Sequence, residues 1–440
     1  MKALILDGSH ANDLTGQRVH ALLTAELESQ GWQVEYILLR EKRIGNCAGD
    51  FFCWIRNPGI CNVDDDNRDI AESMMNSDLM VYLTPITFGG YSSVLKKMVD
   101  HQLPNVSPFF AQVKGETHHQ PRYRNYPNLL AIGWMEQHEL QTEMIFRHLA
   151  QRNAINFYAK KSAAGVVIAD QTDGEIQLSV QNWLDELNSS SSTKLETNLP
   201  IVEASPRLGP IRSSLLLVGS PRTRKSTSHS LGSYLFERLG AHKIQTKTIH
   251  IHTSLRSSER MKTLLEAVDA ADLVLLAFPL YIDSLPAPTI EALEGIAVHR
   301  ASNAGTDTHQ THRQLFAAIS NCGFPEAHHN ETALAICANF ARQARFNWAG
   351  SLALGAGEGM IHGTPLNELD GRVVPLKKAL DLAAEALAQG QPIPQEAQKL
   401  LAKPFIPGWM YRWMGIFGWR QQAKQYGMER SLRRQPYTMK

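Results

Sequence analysis

The densest set of groups able to hold an anion lies at Gly219-Ser220-Pro221-Arg222-Thr223-Arg224-Lys225-Ser226-Thr227-Ser228. An apolar run ends at Gly219, and the residues after it supply the hydroxyls of Ser220, Thr223, Ser226, Thr227 and Ser228 together with Arg222, Arg224 and Lys225. Amides and hydroxyls at a helix start point at a bound phosphate, and the positive end of the helix dipole adds to the attraction. Arg222 or Lys225 would complete the charge balance. The segment is therefore expected to hold a phosphate dianion. Its spacing also matches a P-loop, except that the second glycine is missing. That glycine lets the backbone wrap round the phosphates, and the half that carries the loop has no apolar strand ending in the acidic residue that helps hold magnesium. A triphosphatase is thus the poorer reading, and a solvated Arg/Ser-rich turn is the bland one.

Two more segments belong with this loop. Phe278-Pro279-Leu280-Tyr281-Ile282-Asp283-Ser284-Leu285-Pro286 and Asn321-Cys322-Gly323-Phe324-Pro325-Glu326 each follow an apolar run that reads as a buried strand. Ligands of open α/β sheets bind at the carboxyl ends of the strands, so the three segments should converge on one crevice. A flat apolar ring with a polar edge would fit there. Tyr281 and Phe324 could pack on it, and amides near Ile282, Asp283 and Gly323 could bond its carbonyls. Each aromatic taken alone is as well explained by core packing.

The elements that must position these loops occur twice. A short apolar run ending in Gly-Ser stands at Ala3 to Ser9 and again at Ser214 to Ser220, each followed by a helical pattern and another apolar run. In the first half, strands are predicted at 2–7, 33–39, 79–84 and 128–133, with helices at 21–30, 68–76, 92–101 and 139–152. The second half repeats the pattern with strands at 213–218, 245–250, 273–278 and 314–320 and helices at 230–239, 259–270, 286–297 and 330–345. The fold class is therefore α/β, with two tandem flavodoxin-like doubly wound parallel sheets and a basic, aromatic C-terminal helical tail. Expected boundaries are 1–187, a Ser-rich and Pro-containing linker at 188–210, a ligand-binding half at 211–392, and the tail at 393–440.

Bulk properties agree with this and narrow the function. The chain has 440 residues, 43% hydrophobic and 20% charged, with a net charge of +1. That length suits two domains, and the charge gives no global pull toward nucleic acid or membrane. No signal-peptide pattern opens the sequence and no run reaches the roughly 18 apolar residues of a membrane span. Five cysteines, an odd number, suit reduced thiols. A cytoplasmic protein is expected.

The loops resemble the NAD(P)H-dependent FMN reductase group of the flavodoxin-like superfamily. The second half carries the likeness in Gly219-Ser220-Pro221-Arg222, Phe278-Pro279-Leu280-Tyr281 and Asn321-Cys322-Gly323-Phe324-Pro325-Glu326. The first half carries it in Cys47-Ala48-Gly49-Asp50-Phe51-Phe52-Cys53-Trp54, Pro58-Gly59-Ile60-Cys61 and Thr84-Pro85-Ile86-Thr87-Phe88-Gly89-Gly90, which look like the iron–sulfur-related branch. The resemblance implies non-covalent FMN, NAD(P)H as co-substrate, and electron transfer to a flavin, quinone or other small acceptor. It also implies a homo-oligomer, or a tandem chain that mimics one as an internal pseudo-dimer. A hydride would pass directly to the flavin, so no catalytic side chain is expected beyond a redox role for Cys322.

The first half is expected to be the degenerate partner. Its loop, Gly8-Ser9-His10-Ala11-Asn12-Asp13-Leu14-Thr15-Gly16, has no Arg or Lys and adds Asp13, which would repel phosphate. Any second site there would use Ser9, Thr15, Pro85, Ile86, Thr87, Phe88 and Gly89. Gly8 to Pro85 spans 77 positions against 60 from Gly219 to Pro279, and the 17 extra fall almost entirely in Ile44 to Cys61. Cys47, Cys53 and Cys61 offer three thiolates where a cluster wants four, and Asp50 stands where iron–sulfur members have another cysteine. An iron–sulfur cluster is therefore not expected. The pairs His328-His329, His250-x-His252 and His118-His119 read as surface residues, and Asp64-Asp65-Asp66 as a helix cap.

Between Lys403 and Lys440 the tail holds eight Lys/Arg against one Glu, interleaved with Trp409, Tyr411, Trp413, Phe417 and Trp419. Packing on the protein or an oligomer partner is the first expectation for it, and contact with a membrane surface the second. Nucleic acid is not expected as a partner. A rival to the enzyme is a non-catalytic scaffold of the same fold that docks through the cysteine loop and tail.

Overall fold

A computed structural model describes residues 1–189, 199–200, 203–205, 209–303 and 314–437. Most of the expected linker lies outside the described residues. The chain divides into two compact units, one of residues 1–199 with 409–440 and the other of residues 200–408.

The first unit runs β1 (Lys2–Asp7), α1 (Leu14–Ser29), β2 (Gln33–Leu38), α2 (Phe52–Ile55), α3 (Asn67–Met75), β3 (Leu79–Pro85), α4 (Ser93–Asp100), β4 (Val106–Val113), β5 (Glu116–Pro121), β6 (Asn128–Met135), α5 (Leu140–Asn156), β7 (Ser162–Ile168) and α6 (Asp173–Ser189). Its five-stranded sheet has the order β2-β1-β3-β6-β7, every pair parallel, and β4 and β5 form a separate antiparallel hairpin. The second unit runs β8 (Ser213–Val218), α7 (Thr227–Ala241), β9 (Gln245–His250), α8 (Ile251–Ser254), α9 (Ser258–Ala270), β10 (Leu273–Pro279), α10 (Ala287–Ser302), β11 (Leu315–Asn321), α11 (Glu331–Gln343), β12 (Asn347–Leu354), α12 (Gly357–Met360), α13 (Val374–Ala388) and α14 (Gln395–Ala402). Its sheet, β9-β8-β10-β11-β12, repeats the same order in parallel. The last helix, α15 (Gly408–Lys424), belongs with the first unit.

Both sheets thus have the flavodoxin-like strand order 2-1-3-4-5, in which the chain reverses its direction of travel beside the first strand and leaves a crevice at the carboxyl edge. Central strands are buried on both faces: Leu79 to Thr84 and Leu273 to Phe278 are covered along their whole length. A continuous apolar run without alternation is what such burial requires. In the second unit Leu216, Leu275, Ala317 and Leu352 meet α7 and α13 residues including Leu235, Leu239, Leu380 and Leu387. The first unit repeats this with Ile5, Val81, Leu130 and Val167 against Leu23, Leu27 and Val180.

The predicted four strands per half become five, because Ser162–Ile168 and Asn347–Leu354 mix small and polar residues with apolar ones and sit at sheet edges. Residues 393–408 are not part of a tail: Ile393, Ala397 and Leu401 fill the second unit's core.

Each first strand is followed by a glycine that is touched by the helix after the neighbouring central strand, α4 after β3 and α10 after β10. A Cβ at Gly8 would come within 2.4 Å of the Leu95 Cβ and 2.8 Å of the Leu95 amide nitrogen in α4; at Gly219 it would come within 2.5 Å of Thr289 Oγ1 in α10. Both glycine carbonyls are fixed by hydroxyls of those helices, Ser92 Oγ donating to Gly8 O at 2.7 Å and Thr289 Oγ1 to Gly219 O at 3.0 Å. Because the Leu95 neighbours include backbone, Gly8→Ala is expected to destabilise the chain by about 1–3 kcal/mol, read as a lower urea midpoint with unchanged slope.

Candidate functional site

The anion loop of the second unit takes the shape its composition asks for. Helix α7 starts at Thr227, three residues before the predicted start, because Ser226 is its N-cap: its Oγ accepts from the His229 amide at 3.1 Å and donates to Thr223 O at 2.6 Å. Ser220, Ser226, Thr227 and Ser228 are all buried, whereas Lys225 and Arg224 are exposed. The loop also meets the segments after β10 and β11. Asn321 Nδ2 donates to Ser228 Oγ at 2.9 Å and to Phe278 O at 3.1 Å, and the Leu280 amide donates to Asn321 O at 2.8 Å. Ser220, Ser228, Pro279, Leu280 and Asn321 are thereby brought to one sheet edge.

The turn after β10 is tight. Tyr281 and Ser284 exchange backbone hydrogen bonds of 2.9 and 3.1 Å, leaving Ile282 and Asp283 at φ +46° and +59°. The first unit has the same turn, Thr87 paired with Gly90 around Phe88 and Gly89 at φ +56° and +91°. A β-branched residue in the left-handed region is unfavourable by about 1–3 kcal/mol, a strain that clusters at ligand-binding turns. It presents the amides of Ile282 and Asp283 at the sheet edge.

Sequence reasoning missed what closes this cradle. The segment after β12 folds back: the amides of Ala356 and Gly357 donate to Phe324 O (2.6 Å) and Cys322 O (3.1 Å), and Thr227 Oγ1 donates to Gly357 O at 3.4 Å. Glu358 forms an ion pair with Arg222, lies 3.1 Å from His362 Nδ1, and reaches Thr227 Oγ1 at 3.5 Å. A carboxylate of the chain itself therefore stands beside the helix start, in contact with the arginine assigned to phosphate. The signal in the sequence was Gly355-Ala356-Gly357-Glu358-Gly359, but it could not be placed without the fifth strand.

The first crevice is closed from within in the same manner. Asp13 caps α1, its Oδ1 accepting from the Gly16 amide at 2.9 Å, and its Oδ2 accepts from Trp134 Nε1 at 2.9 Å. Trp134 is paired in register with Pro85 as Asn321 is with Pro279, so an indole occupies the position of the second unit's bridging amide. Its ring lies over Gly16, where a Cβ would come within 2.7 Å. Ser9 is committed as well, its amide to Asp7 Oδ1 (2.7 Å) and its Oγ to Arg40 (2.7 Å). Ile86 is bound through its amide to Trp134 O at 2.9 Å, Thr15 is half-buried, and Phe88 is buried.

Cys47, Cys53 and Cys61 belong to the inserted loop of the first unit. Burial pushes the Cys47 thiol up to about 12 and the Cys53 and Cys61 thiols above their usual range. Cys61 Sγ lies 3.3 Å from His101 Nδ1, and Asp50 Oδ1 accepts from the Phe52 amide at 3.0 Å. The aspartates before α3 brace this loop. Asp65 accepts from the Gly45 and Asn67 amides and Asp66 from the Arg43 amide, so the N-cap Asp66 makes no side-chain bond to its helix, contrary to the expected cap, and these aspartates tie down residues 43–45 instead. His250 and His252 are half-buried and His118 and His329 buried, so of the histidine pairs read as surface residues only some members are exposed.

Cys322 was assigned a redox role on its position alone. Its thiol is buried, donates toward Phe324 O at 3.4 Å, and accepts from Asn330 Nδ2 at 3.4 Å; burial raises it to about 12. The thiol bond ties Cys322 to its own loop, and burial disfavours the thiolate. Iodoacetamide at pH 8 is expected to leave Cys322 and Cys337 unlabelled in the native chain and to label both in urea. Rapid native labelling of Cys322, read by mass spectrometry, would contradict a buried, unreactive thiol and favour the redox role.

With this geometry in hand, comparison with known proteins gives a consistent direction. Residues 1–115 match the family model described as NADPH-dependent FMN reductase. An iron–sulfur flavoprotein of Methanocaldococcus jannaschii is 31% identical over 105 residues, covering 24% of this chain and 53% of the relative. An iron–sulfur flavoprotein of Archaeoglobus fulgidus is 29% identical over 100 residues, covering 23% and 48%. The chain thus spans about half the length of the curated relatives it matches. Among solved structures, an FMN-dependent NADH-azoreductase from Bacillus anthracis aligns at 12% identity and TM-score 0.31, covering 40% of this chain and all of that one (100%). An NAD(P)H:quinone oxidoreductase from Methanothermobacter marburgensis aligns at 12% and 0.28, covering 41% and 94%. Over its first 115 residues, this chain carries the sequence pattern of the NADPH-dependent FMN reductase family.

Proposed function

We propose that the protein is an FMN-dependent NAD(P)H oxidoreductase whose flavin binds in the crevice of the second unit and passes electrons to a flavin, quinone or other small acceptor. The observation that carries the reading is the cradle itself. Three buried hydroxyls, Ser226, Thr227 and Ser228, and the Arg222 guanidinium meet at the start of a 15-residue helix, and the ring-side turns are tied to them through Asn321. The family match over residues 1–115 and the names of the relatives support the same class of cofactor.

The donor set fits a phosphate monoester: the Thr227 hydroxyl and the Arg222 guanidinium already face an anion, since Glu358 stands there. Phosphate and Glu358 would compete for Arg222, so cofactor loading would displace the Gly-rich segment at 355–359 from the cradle. Tyr281 and Phe324 would flank the ring, and the turn strained at Ile282 and Asp283 would orient its polar edge. FMN, when bound, supplies a two-electron carrier between a nicotinamide and the acceptor. The chain's residues bind and orient; none is required to move a proton.

A flavin in the first crevice would follow from the position of the family match, but that match ends at residue 115, before Trp134. The bonded Trp134–Asp13 pair beside the start of α1 argues against a phosphate there. Like charges at a helix start repel.

The purified chain is expected to bind FMN with quenching of flavin fluorescence and to consume NADH or NADPH when an acceptor is present. Arg222→Ala should weaken FMN binding by about tenfold or more, the worth of one charge-assisted contact. Glu358→Gln should tighten it by about tenfold, since the competing carboxylate is removed. Failure of both the wild type and Glu358→Gln to bind FMN would overturn the proposal. Binding without any nicotinamide oxidation would favour the scaffold reading.

A further inference from the structure

The C-terminal helix has two apolar faces, and its own domain uses only one of them. Tyr411, Gly415, Trp419 and Ala423 recur every four residues and form the packed stripe. Tyr411 stacks on Phe110 at 5.7 Å, Trp419 meets the rings of Phe51 and Trp54 edge-on at 5.4 and 5.1 Å, and Gly415 lies so close to Phe110 that a Cβ would come within 2.5 Å. Beyond the helix the chain is gripped rather than loose. Arg122 donates to Leu432 O (3.0 Å) and Arg434 O (2.7 Å), Gln435 Nε2 bonds Arg122 O, and Gly59 abuts Pro436.

Opposite the packed stripe, Trp409, Trp413 and Phe417 also recur every four residues, and they are 68%, 61% and 52% exposed. Trp413 and Phe417 touch each other with ring centroids 4.5 Å apart, and Met414 beside them is exposed too. One further turn along the same face come Arg420 and Lys424, with Arg430, Arg433 and Arg434 following; all five are exposed. The helix contains no acidic residue, and the 38 residues from Lys403 to Lys440 contain one, in a chain whose net charge is only +1.

We propose that this face docks on an anionic lipid surface, lying in the interface rather than crossing it. Tryptophan and phenylalanine suit the boundary between headgroups and acyl chains, and clustered Lys/Arg complement anionic headgroups. The order along the face, aromatic then basic, fits a helix that inserts its first three turns and holds its last turn among the headgroups. No helix among the described residues is long and apolar enough to cross a membrane. Nucleic acid would match the cations but gives no reason for exposed Trp409 and Trp413 next to Met414, since the duplex backbone rewards charge rather than apolar area. A second copy of the chain would bring equal positive charge to the same face.

The test is flotation of the full chain with vesicles of phosphatidylcholine alone and with a quarter phosphatidylglycerol. Binding is expected only to the anionic vesicles, with loss at high salt. The triple variant W409A/W413A/F417A should bind at least tenfold less while keeping the thermal unfolding midpoint of the parent, because none of the three contributes to the packed stripe. R420E/K424E is a second variant with the same expected loss. Absence of binding to anionic vesicles would overturn the proposal, as would equal binding by the triple variant. Dimeric parent protein that becomes monomeric in the triple variant, or tighter retention on duplex DNA than on vesicles, would also overturn it in favour of those partners.

Discussion

An electropositive helix start at the carboxyl edge of a parallel sheet must be answered by negative charge. The rest of the crevice is arranged around that constraint. In each unit a glycine follows the first strand, the chain turns into a helix, and the amides and hydroxyls of that turn face the same space. Each unit answers with a carboxylate of its own, in a different way. Asp13 is built into the loop and locked by the Trp134 indole, so its charge is a permanent part of the first unit. Glu358 arrives from a separate segment, on a stretch rich in glycine, and is held by Arg222 and His362. One anion is part of the fold and the other is a tenant that competes for its place.

This contrast separates the two halves more clearly than loop composition does. Loss of hydroxyls and cations in the first loop marks it as unsuited to phosphate, yet it is the Trp134 side chain, fifty residues beyond Thr84, that fills the space. Sequence reading places Trp134 at the end of a strand and stops there, because which residue stands opposite Pro85 is a matter of register across two strands. The repeat itself was legible: runs such as Leu79–Pro85 and Leu273–Pro279 are apolar throughout, and Gly-Ser follows the first strand in both halves. The edge strands β7 and β12 were not, since Ser162, Gly165, Asn347 and Ser351 interrupt them. Losing β12 as an element hid the segment that follows it, and with it Glu358.

The cysteine insertion also gains a setting that spacing alone could not supply. Residues 44–62, the β4–β5 hairpin and the last helix are one aromatic assembly in the first unit, in which Trp54 donates its indole N–H to Val106 O at 3.0 Å, stacks on Phe51, and meets His119 at a tilt and Trp419 edge-on. The extra residues of the first half are therefore a packed layer. The three thiols sit within it, held protonated by burial.

Arg122 is the bond between that layer and the end of the chain. Its guanidinium is buried and is satisfied by four carbonyls, those of Pro104, Val106, Leu432 and Arg434. Two of the four lie some 310 positions away, with the whole second unit encoded in between. Residues 432 and 434 leave the ribosome only after that unit has been made, so until translation has passed both sheets the guanidinium has two of its four carbonyl acceptors and water in place of the others. Order of synthesis and order of completion are thus reversed: the half that starts the polypeptide is the last to be finished.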